Sequence, residues 1–311
     1  MSAPQSTGLK IISLMNQKGG VAKTTTATNI GAALARDGRR VLMVDLDPQS
    51  HLTLHLGLEP DGARGAYGVL SGQCQIQHAL HKVASKLYCM PSHLDMAAAE
   101  VELAGVQGRE RIMGDALYRV RKYFDYIIFD CPPSLGVLTL NALTCSSHVL
   151  IPLQAHFFAL QGVGKLLETV GLVRQHLNHQ LSVLGFVLCM YDSGTKLAVE
   201  VESDLQQFVD GSRGQGQPWS DSVLFRTRIR RNIKLAESPS HGRSIFDYAP
   251  LSNGATDYRN LATEIAMYFA GQWSSFEPNQ DPVAIEQEDV DVIARLQPQT
   301  AGGSAAVAAM G

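Results

Sequence analysis

Five short apolar runs recur along the chain: LKIISLM (9–15), RVLMVDLD (40–47), FDYIIFD (124–130), SHVLIPL (147–153) and LSVLGFVLCM (181–190). They are apolar at successive positions rather than at alternate ones. A strand with that pattern is buried on both faces, and helices are what cover both faces of a sheet. Helical stretches lie between the runs. Residues 24–37 are Ala-rich and stop at Gly38, and 158–177 and 195–209 carry helical spacing. The alternation predicts a doubly wound α/β domain: a mostly parallel sheet with helices on both faces. There is no internal repeat of about 20–50 residues that would suggest a solenoid instead.

Composition sets the outer limits. The chain has 311 residues, 45% of them hydrophobic, enough for one sizeable core. Its formal net charge of -3 excludes a strongly basic protein but leaves room for a local basic patch. The five cysteines form no CxxC pair and read as small buried side chains of a reducing compartment. MSAPQSTGLK at the N-terminus has no basic and apolar regions of a secretory signal. No apolar run approaches the ~18–20 residues that span a bilayer. A cytoplasmic protein without membrane contact is expected.

From Glu277 onward the composition turns acidic and then Ala/Gly-rich, with six acids and one base. This predicts a flexible N-terminus over 1–8, a folded domain over 9–273 and a disordered tail over 274–311. GSRGQGQP (211–218) reads as a flexible loop inside the domain. Without 277–311 the body carries 25 basic and 23 acidic residues, yet RTRIRRNIK (226–234) holds five of those bases and no acid. A stripe of that kind suits contact with a phosphate backbone.

NQKGGVAKTTT (16–26) follows the first strand and opens the first helix. In that setting a glycine-rich turn binds phosphate: backbone N–H groups from Gly19 to Thr24 point inward and the helix adds its positive end. Lys23 would bridge the β- and γ-phosphates, and the Thr24 hydroxyl would hold Mg²⁺. Asp45 and Asp47 stand at the C-terminal end of one strand, and Asp130 ends another. Those ends are where open parallel sheets bind ligands. CPPS after Asp130 is a stiff turn suited to a switch beside a phosphate. The histidine pairs His51/His55 and His78/His81 lack the neighbours of a zinc site.

The loop departs from GxxxxGK[ST], with Gln17 and Ala22 where glycines would stand, and fits KGGxxKT. In this it resembles the ParA/MinD family of deviant Walker A ATPases. VDLDPQS (44–50), IIFDCPPS (127–134), MYDSGTKL (190–197) and RNIKLAESPSHG (231–242) extend the resemblance to the ParA/Soj partition branch. The resemblance implies a P-loop NTPase fold, ATP and Mg²⁺ as cofactors, and a nucleotide cradle of Lys18, Gly19, Gly20, Val21, Ala22, Lys23, Thr24 and Thr25. It implies that Lys18 reaches across an ATP-bound homodimer to the partner's nucleotide. It assigns orientation of the attacking water to Asp47, and the magnesium shell to Thr24, Asp45 and Asp130. Lys196, Arg230, Arg231 and Lys234 would contact nonspecific double-stranded DNA on the nucleoid. A ParB-like protein would stimulate hydrolysis and release. A related positioning ATPase with a protein cluster as cargo is the alternative. A MinD-like membrane protein is disfavoured, because VAIEQEDVDVIARL is acidic where a basic membrane helix would be needed.

Overall fold

In the computed structural model, which describes residues 8–156 and 159–279, the first apolar run is strand β1 (Lys10–Leu14), and the glycine loop leads from it into helix α1 (Lys23–Arg36). There follow β2 (Val41–Asp45), the short helices α2 (His51–His55) and α3 (Ala66–Leu70), the strands β3 (His81–Ala84) and β4 (Leu87–Met90), and helices α4 (Met96–Glu102) and α5 (Ile112–Tyr118). Strands and helices then alternate through β5 (Tyr126–Asp130), α6 (Val137–Cys145), β6 (His148–Gln154), α7 (Ala159–His176), β7 (Ser182–Tyr191) and α8 (Lys196–Gly211). The last part holds β8 (Val223–Leu224), β9 (Ile229–Arg230), α9 (Ile233–Glu237), α10 (Ile245–Tyr248) and α11 (Asn253–Phe269).

The strands form one sheet in the order β3-β4-β2-β5-β1-β6-β7-β8, with β9 also paired to β7. Every pair is parallel except β3–β4. The expected doubly wound fold is present. Successive strand residues enter opposite cores, as a period of two requires. Val41, Met43, Tyr126 and Ile128 pack with α1 and α11 on one face. Leu42, Val44, Ile127 and Phe129 pack with α6, α7 and α8 on the other. That is why the runs look uniformly apolar. Gly31 lets α1 lie close to the sheet: a Cβ there would come within 2.7 Å of Met43 Sδ.

Register brings the site together. Leu14 and Asp45 both pair with Asp130, so β1, β2 and β5 end at one level and the phosphate loop starts beside two carboxylates. β1 sits where the strand order reverses, which opens the crevice at the strand ends.

Three parts differ from expectation. β3, β4, β8 and β9 have two to four residues each, too short to show a period in sequence. The folded body also passes residue 273. Trp273 Nε1 donates to Glu264 at 2.9 Å, the Arg226 guanidinium donates to the carbonyls of Ser274 and Phe276, and Phe276 is buried. Residues 274–276 therefore belong to the body rather than to the tail. The loop at 211–218 is tethered at its end, where the Val183 N–H donates to the Pro218 carbonyl at 2.8 Å. Residues 1–7 and 280–311, on which the flexible-terminus and tail expectations fall, lie outside the described residues.

Candidate functional site

The loop after β1 is held by a residue that the motif reading passed over. Asn16 Nδ2 donates to the Pro152 carbonyl at 2.8 Å, and its Oδ1 accepts the Lys18 N–H at 2.9 Å. Pinned there, the backbone turns twice into the left-handed region, at Gly20 (φ 73°) and Ala22 (φ 67°). α1 starts directly after, with no side chain capping its first N–H groups. Uncapped donors at a helix start form an anion site.

The two lysines take different places. Lys23 is buried and lines a cavity of about 930 Å³, where its Nζ donates to the Lys18 carbonyl at 3.3 Å. Burial lowers its pKa, against the pull of Asp130 and Asp47. Lys18 is exposed and is not part of that cavity's lining. Gly19, Gly20, Ala22, Thr24 and Thr25 line it, whereas the Val21 side chain is in the core, leaving only its backbone for a cradle.

The three carboxylates also divide. Asp47 lines the cavity, and its backbone is fixed by Ser92, whose hydroxyl donates to the Asp47 carbonyl at 2.7 Å. Asp130 is buried. Its Oδ2 accepts the Thr24 hydroxyl at 2.6 Å, and its Oδ1 has no hydrogen-bond partner. Burial, and then the charge of Asp45, raise its pKa. An orphaned carboxylate oxygen beside a threonine hydroxyl fits a magnesium ion that keeps most of its waters. No cluster of three or more His, Cys, Asp or Glu able to hold a metal occurs among the described residues, so nucleotide and water would complete such a shell.

Asp45 is fully buried and, like Asp130, is not part of the cavity lining, but both its oxygens are engaged by the protein: they accept the Asp47 N–H at 3.1 Å and the Thr53 N–H and hydroxyl at 2.9 and 2.7 Å, which speaks against direct contact with a metal. It braces the turn that presents Asp47. The two carboxylates part company because β2 ends at Asp45 and the turn after it re-aims Asp47.

Beyond the phosphate end, Pro132, Pro133 and Ser134 form one wall of the cavity. Met190, residues 229–233, Leu235, Ala236 and Tyr258 form the other end, where a base would lie. Met190 itself is held at φ 50°. Sequence reasoning left this end of the cavity unassigned, because its residues come from three distant segments, and named Arg230 and Arg231 among them only as DNA contacts. Cys189 lies behind them in the core, its Sγ 3.6 Å from the Thr26 hydroxyl.

Three of the five bases of the basic segment are ion-paired, two with acids from distant helices and one with its own helix. Arg230 lines the cavity and forms an ion pair with Asp257 at 2.6 Å; Arg228 pairs with Glu202; Lys234 pairs with Glu237 at 2.8 Å. Arg231 is exposed and has no ion pair among the described residues, and Lys196 at the start of α8 is also exposed. Of the four residues expected to meet DNA, Arg231 and Lys196 are thus unengaged by acids, Lys234 is paired on the surface, and Arg230 is committed to a largely buried Asp257.

Residues 9–183 match the model of an AAA domain family. Over 259 residues the chain is 43% identical to the sporulation initiation inhibitor protein Soj of Bacillus subtilis, covering 83% of this chain and 98% of that one. The chain belongs to the ParA/Soj family of ATPases. The chromosome partitioning protein ParA of Myxococcus xanthus is 42% identical over 258 residues, 82% of this chain and 87% of that one. Among solved structures, cobyrinic acid a,c-diamide synthase from Mycobacterium smegmatis with bound ADP and magnesium is similar at 36% identity and a TM-score of 0.70, covering 89% of this chain and all of that one. This ParA/Soj family chain has no helix long and apolar enough to cross a membrane among its described residues.

Proposed function

We propose that the protein is an ATP-driven dimerising switch of the DNA-partition type. The observation that carries this reading is the separation of the two lysines: Lys23 lies inside its own chain's cavity, while Lys18 is held outside it on a rigid turn. The backbone N–H groups of Gly19–Thr24 and the Lys23 ammonium hold the ATP phosphates. Thr24 and Asp130 hold Mg²⁺, which withdraws charge from the phosphate oxygens when bound. Asp47 orients water for attack on the terminal phosphate. Lys18 from the partner in a homodimer meets the charge that develops there, in the manner of an arginine finger. Hydrolysis then depends on dimerisation. The ATP dimer holds nonspecific double-stranded DNA through Arg231, Lys196 and Lys234, and a ParB-like protein triggers hydrolysis and release. The site of action would be the nucleoid in the cytoplasm.

The 36% identity to a synthase supports the shared nucleotide cradle rather than its biosynthetic chemistry. The next two cavities, near α1's C-terminal end and along α7, share no lining residue with the main cleft, so neither extends it into a second substrate site.

The test is Lys18→Ala. Fluorescent-nucleotide titration should give near-wild-type ATP affinity, because Lys23 and the backbone cradle remain. Steady-state hydrolysis should fall by about 10³-fold or more, the scale of a lost finger. In the wild type the rate per chain should climb with protein concentration. A loss of nucleotide affinity matching the loss of rate would return Lys18 to its own cleft and remove the dimer from the reading.

A further inference from the structure

Behind one wall of the cleft stands a glycine that its own backbone does not require. Gly136 precedes α6 at φ -80° and ψ -168°, extended values that any residue adopts. What excludes a side chain there is Glu100 of α4. A Cβ on Gly136 would overlap Glu100 Oε1 and lie 2.8 Å from its Cδ, and the three atoms nearest to it all belong to that carboxyl group. The glycine is a notch, and the glutamate fills it.

The seat is unfavourable for a carboxylate. Glu100 Oε1 is buried and accepts no hydrogen bond among the described residues. An oxygen left without a donor destabilises the fold, so packing alone does not account for a glutamate here. Its neighbour on the helix shows the ordinary case: Glu102 is exposed and accepts the Tyr67 hydroxyl at 3.1 Å. What Glu100 brings to the notch is charge. No side chain caps the first N–H groups of α6. A carboxylate against them favours the positive end of the helix and fixes where the helix begins.

The start of α6 is also the end of the cleft wall. Pro132, Pro133 and Ser134 line the cavity, and Gly136 follows two residues later. On the α6 side, the Thr139 hydroxyl donates to the Ser134 carbonyl at 2.7 Å. On the α4 side, Glu100 presses on Gly136. The prolines leave the turn little freedom of its own, so these two contacts set its position as a unit. The same turn follows Asp130, which accepts the Thr24 hydroxyl of the phosphate loop.

We propose that Glu100 is a positioning residue for ATP hydrolysis: seated in the Gly136 notch, it braces the wall of residues 132–134 against the terminal phosphate. The proposal rests on the assignment of this cavity to ATP, and needs neither DNA nor a partner protein. Glu100 itself touches no substrate. Its loss leaves Lys23 and the backbone cradle in place, so ATP still binds, but the wall is no longer held. A displacement of about 1 Å at a reacting centre lowers the rate by up to about 100-fold.

Glu100→Ala, Glu100→Gln, Gly136→Ala and the double variant Glu100→Ala/Gly136→Ala test this, with Glu102→Gln as the control. Hydrolysis is read at protein concentrations where the rate per chain has levelled off, and ATP affinity by fluorescent-nucleotide titration. Glu100→Ala should keep ATP affinity within about twofold and lose about 10- to 100-fold in rate. Gly136→Ala pushes the same carboxylate out of its seat, so it should reproduce that loss. The double variant should then be no slower than either single one. Glu100→Gln fits the notch without the charge and should recover part of the rate, while Glu102→Gln should match the wild type. An unchanged rate in Glu100→Ala overturns the proposal. So do losses that multiply in the double variant, or a loss of ATP affinity as large as the loss of rate. If Glu100→Ala does not fold, Gly136→Ala and Glu100→Gln decide alone. A wild type that binds no ATP would instead remove the cavity's assignment, and the proposal with it.

Discussion

Ala22 is where this chain trades stability for its loop. The turn needs φ 67° at residue 22, and an alanine there pays for the left-handed conformation with roughly 1–2 kcal/mol of strain. Ala22→Gly would relieve it, and the greater freedom of glycine in the unfolded chain would return about 0.5–1 kcal/mol of that gain. The expected outcome is a variant about 0.5–1 kcal/mol more stable in urea, with an unchanged m-value and unchanged nucleotide affinity. A variant destabilised by that amount would mean that the turn at residue 22 is not left-handed. The position of Ala22 in the cavity lining was legible, since the spacing KGGxxKT is local. The direction of the Asp45 carboxylate was not, since it depends on Thr53, eight residues away on α2. Asn16 was equally invisible, because its partner Pro152 lies on another strand.

Among elements, the segment around β9 and α9 shows how a charge run misleads. Five bases without an acid in RTRIRRNIK read as one free stripe, yet Glu202 and Asp257 come to it from α8 and α11, and Glu237 pairs with Lys234 from three residues further along α9. The pairing predicts different outcomes for adjacent arginines. Arg231→Ala should leave stability unchanged and lower the slope of log DNA affinity against log salt by about 0.9 per chain. Arg230→Ala strands Asp257, whose side chain is only 6% exposed, and should cost on the order of 1–3 kcal/mol in urea before DNA is considered. Equal stability of the two variants would show that the Asp257 pair has no structural role. A second contact between elements is pH-sensitive. His55 at the end of α2 is buried against Ser238, and burial lowers its pKa to about 4. The unfolded chain therefore binds more protons between about pH 4 and 6.5, and wild-type stability falls as pH drops through that window. His55→Gln removes this response. Its destabilisation should be largest near neutral pH and shrink on acidification by up to about 1.4 kcal/mol per pH unit. Urea unfolding at several pH values checks this, and a penalty that grows in acid would mean that His55 is held charged.

At the scale of the whole molecule, the alternating runs were enough to anticipate the wound sheet, because each strand feeds two cores at once. They could not reveal how the groups of the phosphate loop divide between the chain's own cavity and its surface. Lys23, Thr24, Asp47 and Asp130 converge within one chain, whereas Lys18 is turned away. If Lys18 acts in trans, two inactive chains can repair each other. A Lys18→Ala chain keeps its own Asp47 and lacks only the partner's lysine. An Asp47→Ala chain keeps Lys18 and lacks only its own water-orienting carboxylate. In their heterodimer, the cleft of the Lys18→Ala chain holds Asp47 and receives Lys18 from the other subunit, so one site works. The second cleft lacks both groups. Random mixing makes half of the dimers heterodimers, so the mixture should recover about a quarter of the wild-type hydrolysis rate per chain in a twofold assembly. Each variant alone should stay near background, and Asp47→Ala with ATP should run as a dimer on gel filtration. If Lys18 acted in cis, neither cleft of the heterodimer would be complete, and mixing would restore nothing.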